Sequence, residues 1–213
     1  ALCAVLSSAR AAAPCDIALV LTIDVSGSID RAEYRLQAQG LADALDDPEV
    51  AEALVAAKAT LAVLQWSGAG QQKLVLPWTR ILTPRDSAAL ARHARTMPRA
   101  FARSDTAVGE ALSAAARSFD DVPECHRRVI DISGDGPQNA GRPLPGERQA
   151  ALTAGAIINA IAIEDAGRGY PVSAYYERHI ITRGGFVITA RSLEDYPRAI
   201  RAKILREIAR PTG

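Results

Sequence analysis

The sequence predicts an α/β fold: a six-stranded, mostly parallel sheet with one antiparallel edge strand and helices on both faces. Three observations carry this. Apolar runs of strand length recur at residues 17–23, 59–66, 73–78, 128–133, 157–163 and 185–190. Most are continuous rather than alternating, as expected of strands buried on both faces. Segments with helical spacing separate nearly all of them, and strand then helix, repeated, is the pattern of parallel βαβ units.

Taken in order, the first run, CDIALVLTI, leads into IDVSGSID, which places Asp24, Ser26 and Ser28 directly after a buried strand. A helix over 30–45 follows, with Tyr34, Leu36, Leu41 and Leu45 at helical spacing and Asp30 with Glu33 in a capping-box pattern. A second helix is expected over 48–57. The runs at 59–66 and 73–78 are joined by SGAGQQ, too short for a crossover helix, so they should pair as an antiparallel hairpin at a sheet edge. Pro77 suits an edge better than a centre. Helices over 85–96 and 106–119 precede the strand RVIDIS, after which GDGPQNAG sets Asp135 in a turn where Gly134 and Gly136 free the backbone to bend. Helices over 146–156, 171–182 and 192–209 complete the chain. The last carries a stripe of Leu193, Tyr196, Ile200, Ile204, Leu205 and Ile208, which packing on the sheet explains.

A chain of 213 residues, 48% hydrophobic and 23% charged, is expected to be one globular domain. Its net charge of +1 selects no partner, and the basic clusters from Arg92 to Arg103 and Arg198 to Arg210 lack interleaved aromatics, so they read as solvated helix faces rather than a nucleic-acid surface. Residues 1–13 are apolar and small, with Ala9-Arg10-Ala11 and Ala11-Ala12-Ala13 fitting a cleavage pattern, and read as a signal-peptide remnant ahead of a domain over 14–213. The alternative is an ordinary alanine-rich helix. Export to the periplasm or outside the cell follows, without membrane insertion of the mature chain. If Cys3 leaves with the signal, Cys15 and Cys125 remain, each shortly before a strand. Their matched offsets from Asp24 and Asp135 put both at one end of neighbouring strands, either as a disulfide or as two free thiols.

Ligands of open α/β sheets bind outside the carboxyl ends of the strands. IDVSGSID and SGDG lie at such ends, and RSDTAVGEAL brings Asp105 and Thr106 at an expected helix start. What these segments share is oxygen. Carboxylates and hydroxyls without histidine or thiolate suit a hard cation, Mg²⁺ first, with Mn²⁺ or Ca²⁺ next. Each residue also has a plain reading: Ser28 and Asp30 as helix caps, Gly27 as a turn residue, Asp105 or Thr106 as an N-cap.

Asp24-x-Ser26-x-Ser28, Thr106 three residues before Gly109, and Asp135 in SGDG resemble the metal-ion-dependent adhesion site of von Willebrand factor type A domains. The resemblance spans about residues 15–209, and CDIALVLTIDVSGSID, RVIDISGDGPQN and GGFVITARSLEDYPRAIRAKILREIA look more narrowly like a bacterial family of exported type A proteins of unestablished function, family 1194. It implies a Rossmann-like doubly wound fold. It also implies that Asp24, Ser26, Ser28, Thr106 and Asp135 surround a divalent cation; Asp105, beside them in sequence, is expected to support the site from outside that set. Pro137, Gln138 and Asn139 follow the last aspartate where family sites often carry further acids, so no flanking cation site is indicated.

The function expected is an exported, metal-dependent binding module that captures an Asp or Glu carboxylate of a protein partner. The competing reading is a metal-assisted hydrolase or phosphatase using Asp24. Against it, such phosphatases need a second acid two residues on, where Ser26 stands. Neither Ser26 nor Ser28 has glycine two residues before it, as a nucleophile elbow requires, and His93, His126 and His179 lack motif context. The fragment GAG at 68–70 precedes a hairpin rather than a helix, which argues against a phosphate-binding loop.

Overall fold

A computed structural model describes residues 15–102, 104–164 and 171–209; the expected signal remnant lies outside them. The strands are β1 (Ile17–Asp24), β2 (Ala59–Trp66), β3 (Gln72–Arg80), β4 (Arg127–Gly134), β5 (Ala156–Ile163) and β6 (Val187–Ala190). They form one sheet in the order β3-β2-β1-β4-β5-β6, antiparallel only between β2 and β3. The helices are α1 (Arg31–Asp46), α2 (Pro48–Ala56), α3 (Pro84–Thr96), α4 (Val108–Ser118), α5 (Leu144–Thr153), α6 (Val172–His179) and α7 (Tyr196–Ile208).

The unbroken apolar runs are explained by the two faces. Every residue of β1 and of β2 is buried. Ile17, Leu19, Leu21 and Ile23 face α1, α2, α3 and α7, while Ala18 and Val20 face α4, α5 and α6, so alternate side chains of one strand enter two separate cores. β3 is the edge, with register shifts in its pairing to β2 around Leu76 and Thr79, where Pro77 removes a ladder donor. Asp30 caps α1 through the N–H groups of Ala32 and Glu33, and Glu33 reaches back to the N–H of Asp30, the expected capping box.

Several boundaries moved for local reasons. The fifth helix ends at Thr153 because Gly155 takes a left-handed conformation, φ +76°, that stops it. The sixth ends at His179, before the Thr182 hydroxyl accepts the N–H of Ile158 and ties the chain to β5. Cys15 and Cys125 form a disulfide, Cα to Cα 4.6 Å, across the amino ends of β1 and β4. Closing a separation of 110 residues restricts the unfolded chain by an amount worth about 4–5 kcal/mol in the loop-entropy model.

The last helix holds what its apolar stripe concealed. Lys203 and Glu207 sit on its buried face, and the Lys203 ammonium lies 2.5 Å from Asp131 of β4 and 2.6 Å from Glu207. Asn159 of β5 donates to Glu207 at 3.0 Å. Burial pushes the carboxyls of Asp131 and Glu207 up, that of Glu207 to about 7, against the pull of the ammonium. At the helix surface Arg201 pairs with Asp47 at 3.0 Å.

Candidate functional site

β1 pairs with β2 on one side and β4 on the other, so the carboxyl ends of β1 and β4 flank the point where strand order reverses. Asp24 is the last residue of β1 and Asp135 follows β4 directly. The structure brings the five expected residues together in one hydrogen-bonded chain. Ser26 N–H donates to Asp24 Oδ1 at 2.7 Å, Ser26 Oγ and Ser28 Oγ are 3.3 Å apart, and Ser28 Oγ donates to Asp135 Oδ1 at 2.9 Å. Thr106 Oγ1 donates to Ser26 Oγ at 3.4 Å from the other side. Asp24 and Ser26 are fully buried, Thr106 and Asp135 nearly so, and Ser28 is exposed at the mouth.

Thr106 does not start the helix, nor does Asp105. α4 begins at Val108, with Ala107 at the N-cap position and no side-chain cap, because loop contacts claim the preceding backbone. Asn139 Oδ1 accepts from Thr106 N–H at 2.8 Å, Thr106 carbonyl accepts from Asn139 N–H at 3.0 Å, and Ser67 carbonyl accepts from Ala107 N–H at 2.9 Å. These bonds turn the Thr106 hydroxyl inward. The Asp105 side chain is exposed, and its carbonyl accepts from Ser67 Oγ at 3.3 Å. Ser28 likewise leaves helix capping to Asp30 and turns to Asp135.

Two contributors escaped the sequence. Arg99 donates to the carbonyls of Val25 and Ser26, both at 2.9 Å, and so pins the loop that carries the serines. Gln138 Oε1 accepts from Gly109 N–H at 2.7 Å and ties the loop after β4 to α4. A lone arginine in a basic segment gives no sign of such a role. Gly134 also acts differently from expectation: its φ is not left-handed, so its value is space rather than bending. A Cβ there would lie 2.9 Å from Asp24 Oδ2 and closer still to the Tyr176 hydroxyl. Gly134→Ala is therefore expected to cost about 1–3 kcal/mol, read from urea unfolding, since neither neighbour is free to retreat from a packed core.

Electrostatically, no basic side chain offsets Asp24, because the Arg99 guanidinium is turned to the carbonyls of the loop. Burial first and then the nearby charge of Asp135 push the Asp24 carboxyl up to about 7, although hydrogen bonds from Ser26 and the Asp135 backbone pull it down. Asp24 Oδ2 is buried without a hydrogen-bond partner. An orphaned carboxylate oxygen beside a second carboxylate, ringed by three neutral hydroxyls, fits a hard cation. No group of three or more His, Cys, Asp or Glu that could hold a metal ion exists among the described residues.

Comparison with known proteins places the fold. Residues 14–212 match the family described as "Protein of unknown function (DUF1194)". No curated protein matches the sequence. Among solved structures, proximal thread matrix protein 1 from the mussel byssus superposes with a TM-score of 0.68 at 21% identity, covering 91% of this chain and 49% of that one. A second structure of that protein is described as having a zinc-occupied MIDAS motif. The von Willebrand factor type A protein of Catenulispora acidiphila gives 0.57 at 18% identity over 92% of this chain and 42% of its own. An aerotolerance-related membrane protein of Bacteroides fragilis gives 0.60 at 16% identity over 90% and 99%. The chain spans about half the length of the mussel protein.

Proposed function

We propose, from the premise that this chain belongs to the DUF1194 family and folds as a von Willebrand factor type A domain, that it is a metal-dependent protein-binding module. Asp24, Ser26, Ser28, Thr106 and Asp135 hold a divalent cation, and the cation supplies an under-neutralised positive charge that accepts an Asp or Glu carboxylate of a protein partner. The observation that carries this reading is the buried, unpartnered Asp24 Oδ2 at the centre of a converging set of carboxylates and hydroxyls. Oxygen donors alone favour Mg²⁺, with Mn²⁺ and Ca²⁺ as alternatives.

Recognition is favoured over turnover. Asp24 is fully buried with Oδ1 held by Ser26, a poor posture for a nucleophile, and the position of the missing general acid is filled by Ser26, itself bonded within the site. The Cys15–Cys125 bond supports an oxidising compartment, and with it export to the periplasm or cell exterior. No helix of the described residues is long and apolar enough to cross a membrane.

Calorimetric titration of Mg²⁺, Mn²⁺ and Ca²⁺ into chelator-stripped protein tests the reading. Saturable binding is expected in the wild type and none in Asp24→Ala or Asp135→Ala, with the fold checked by circular dichroism. Binding that survives both substitutions would place the cation elsewhere.

A further inference from the structure

Beside the metal loop a groove of about 670 Å³ runs between α1 and the segment that follows α3. Two stretches distant in sequence build it, and each brings arginines: Arg31 and Arg35 from α1, Arg95 and Arg99 from the end of α3 and its continuation. The basic cluster around Arg95, unremarkable as sequence, thus meets a second pair across the groove. Tyr34 and Met97 are buried in its floor, with the Tyr34 hydroxyl donating to the Met97 carbonyl at 2.9 Å.

The positive charge is largely unspent. Arg31 and Arg35 are exposed, four residues apart on one helical face, and no carboxylate among the described residues pairs with either. Arg31 also opens α1, where the helix macrodipole disfavours a cation. Glu33, the nearest acid on that helix, is committed to the N–H of Asp30. Arg95 alone is shared, with Asp43 at 2.8 Å. Arg99 spends one nitrogen on the carbonyls of Val25 and Ser26, while its Nε is buried without a hydrogen-bond partner. One side chain therefore lines the groove and holds the metal loop.

We propose that this groove binds an acidic, extended segment of the protein partner, continuing from the carboxylate that the cation takes. The occupant rests on charge complementarity: four arginines gather on the two walls and only Arg95 of them pairs with a carboxylate among the described residues, a surface that favours an anionic guest. A peptide fits better than a nucleic acid, because the floor is apolar and its one aromatic residue, Tyr34, is buried rather than offered as a stacking platform. The proposal names the partner chemistry of the site above and rests on that reading for the first carboxylate only.

The test is fluorescence anisotropy of a labelled oligoglutamate peptide on the full chain, with Mg²⁺ or with chelator, for wild type, Arg31→Glu/Arg35→Glu and Asp24→Asn. Both arginines are exposed, so the double variant should fold, and metal titration of it should match wild type. Expected is a loss of about tenfold or more in peptide affinity in the arginine variant, and no binding of an oligoglutamine peptide. Wild-type affinity retained in the arginine variant, or no oligoglutamate binding by wild type, overturns the groove while leaving the metal reading intact. Tighter, arginine-dependent binding of a single-stranded oligonucleotide also overturns it. Arginine-dependent peptide binding by a wild type that takes up no metal would sustain the groove and sink the metal site.

Discussion

Asp24→Asn should make the metal-free protein more stable near neutral pH and above, while abolishing cation binding. The carboxyl of Asp24 is raised from 3.8 to about 7 by burial and by Asp135. A carboxyl raised on folding binds more protons in the folded than in the unfolded state between those two values, so its contribution to stability falls as pH rises through that window. Three pK units correspond to a ceiling of about 4 kcal/mol. Asparagine keeps an oxygen for Ser26 N–H and carries no charge, so a gain of about 1–3 kcal/mol is expected at about pH 8, shrinking towards pH 4. Urea unfolding in chelator at both pH values measures it. Saturating cation should reverse the order, since it stabilises only the protein that binds it, by about 2.7 kcal/mol at a hundredfold excess over Kd. A wild type already the more stable in chelator at the higher pH would show that the paired carboxylates carry no strain.

Lys203→Met should have the larger destabilising effect. The ammonium is the ion-pair partner of Asp131 and Glu207, and all three groups are buried. Removing it strands two carboxylates in the core, at a cost of about 3–5 kcal/mol. Both carboxyls are already raised in the folded state, Glu207 to about 7. Their loss of protons on the way from acid to neutral pH therefore weakens the fold, and the variant should recover much of its stability when titrated down towards about pH 5. Chemical unfolding across that range decides the matter. A small loss independent of pH would mean that the ion triad contributes nothing that a methionine cannot.

The legible part of the sequence was the part whose signal is local. The unbroken runs IALVLTI and ATLAVLQW read as two-faced buried strands because every residue of both is enclosed. The link at 67–72 was too short for a crossover, and Pro77 confined the second hairpin strand to the edge. Asp30 and Glu33 announced the start of α1 by spacing alone. The site was legible in part. Its residues could be named from three short motifs, yet the motifs did not show whether Thr106 capped a helix or faced inward; Asn139 and Ser67 decided that from distant loops.

What stayed hidden depends on which residues meet across the fold. Lys203 lies within the basic cluster that reads as a solvated helix face until Asp131, in the middle of a buried strand, and Glu207 are placed against it. Arg99 and the arginines of α1 gain meaning only as walls of one groove. Alternation, capping and turn chemistry depend on neighbours along the chain, so the sequence by itself determined the strands, the helices, the topology of the edge and which residues are proposed as oxygen donors. Charge and space depend on neighbours through the fold. Only the tertiary structure therefore decided that Gly134 makes room for Asp24, that two carboxylates share one uncompensated pocket, and that scattered arginines pool their charge beside it.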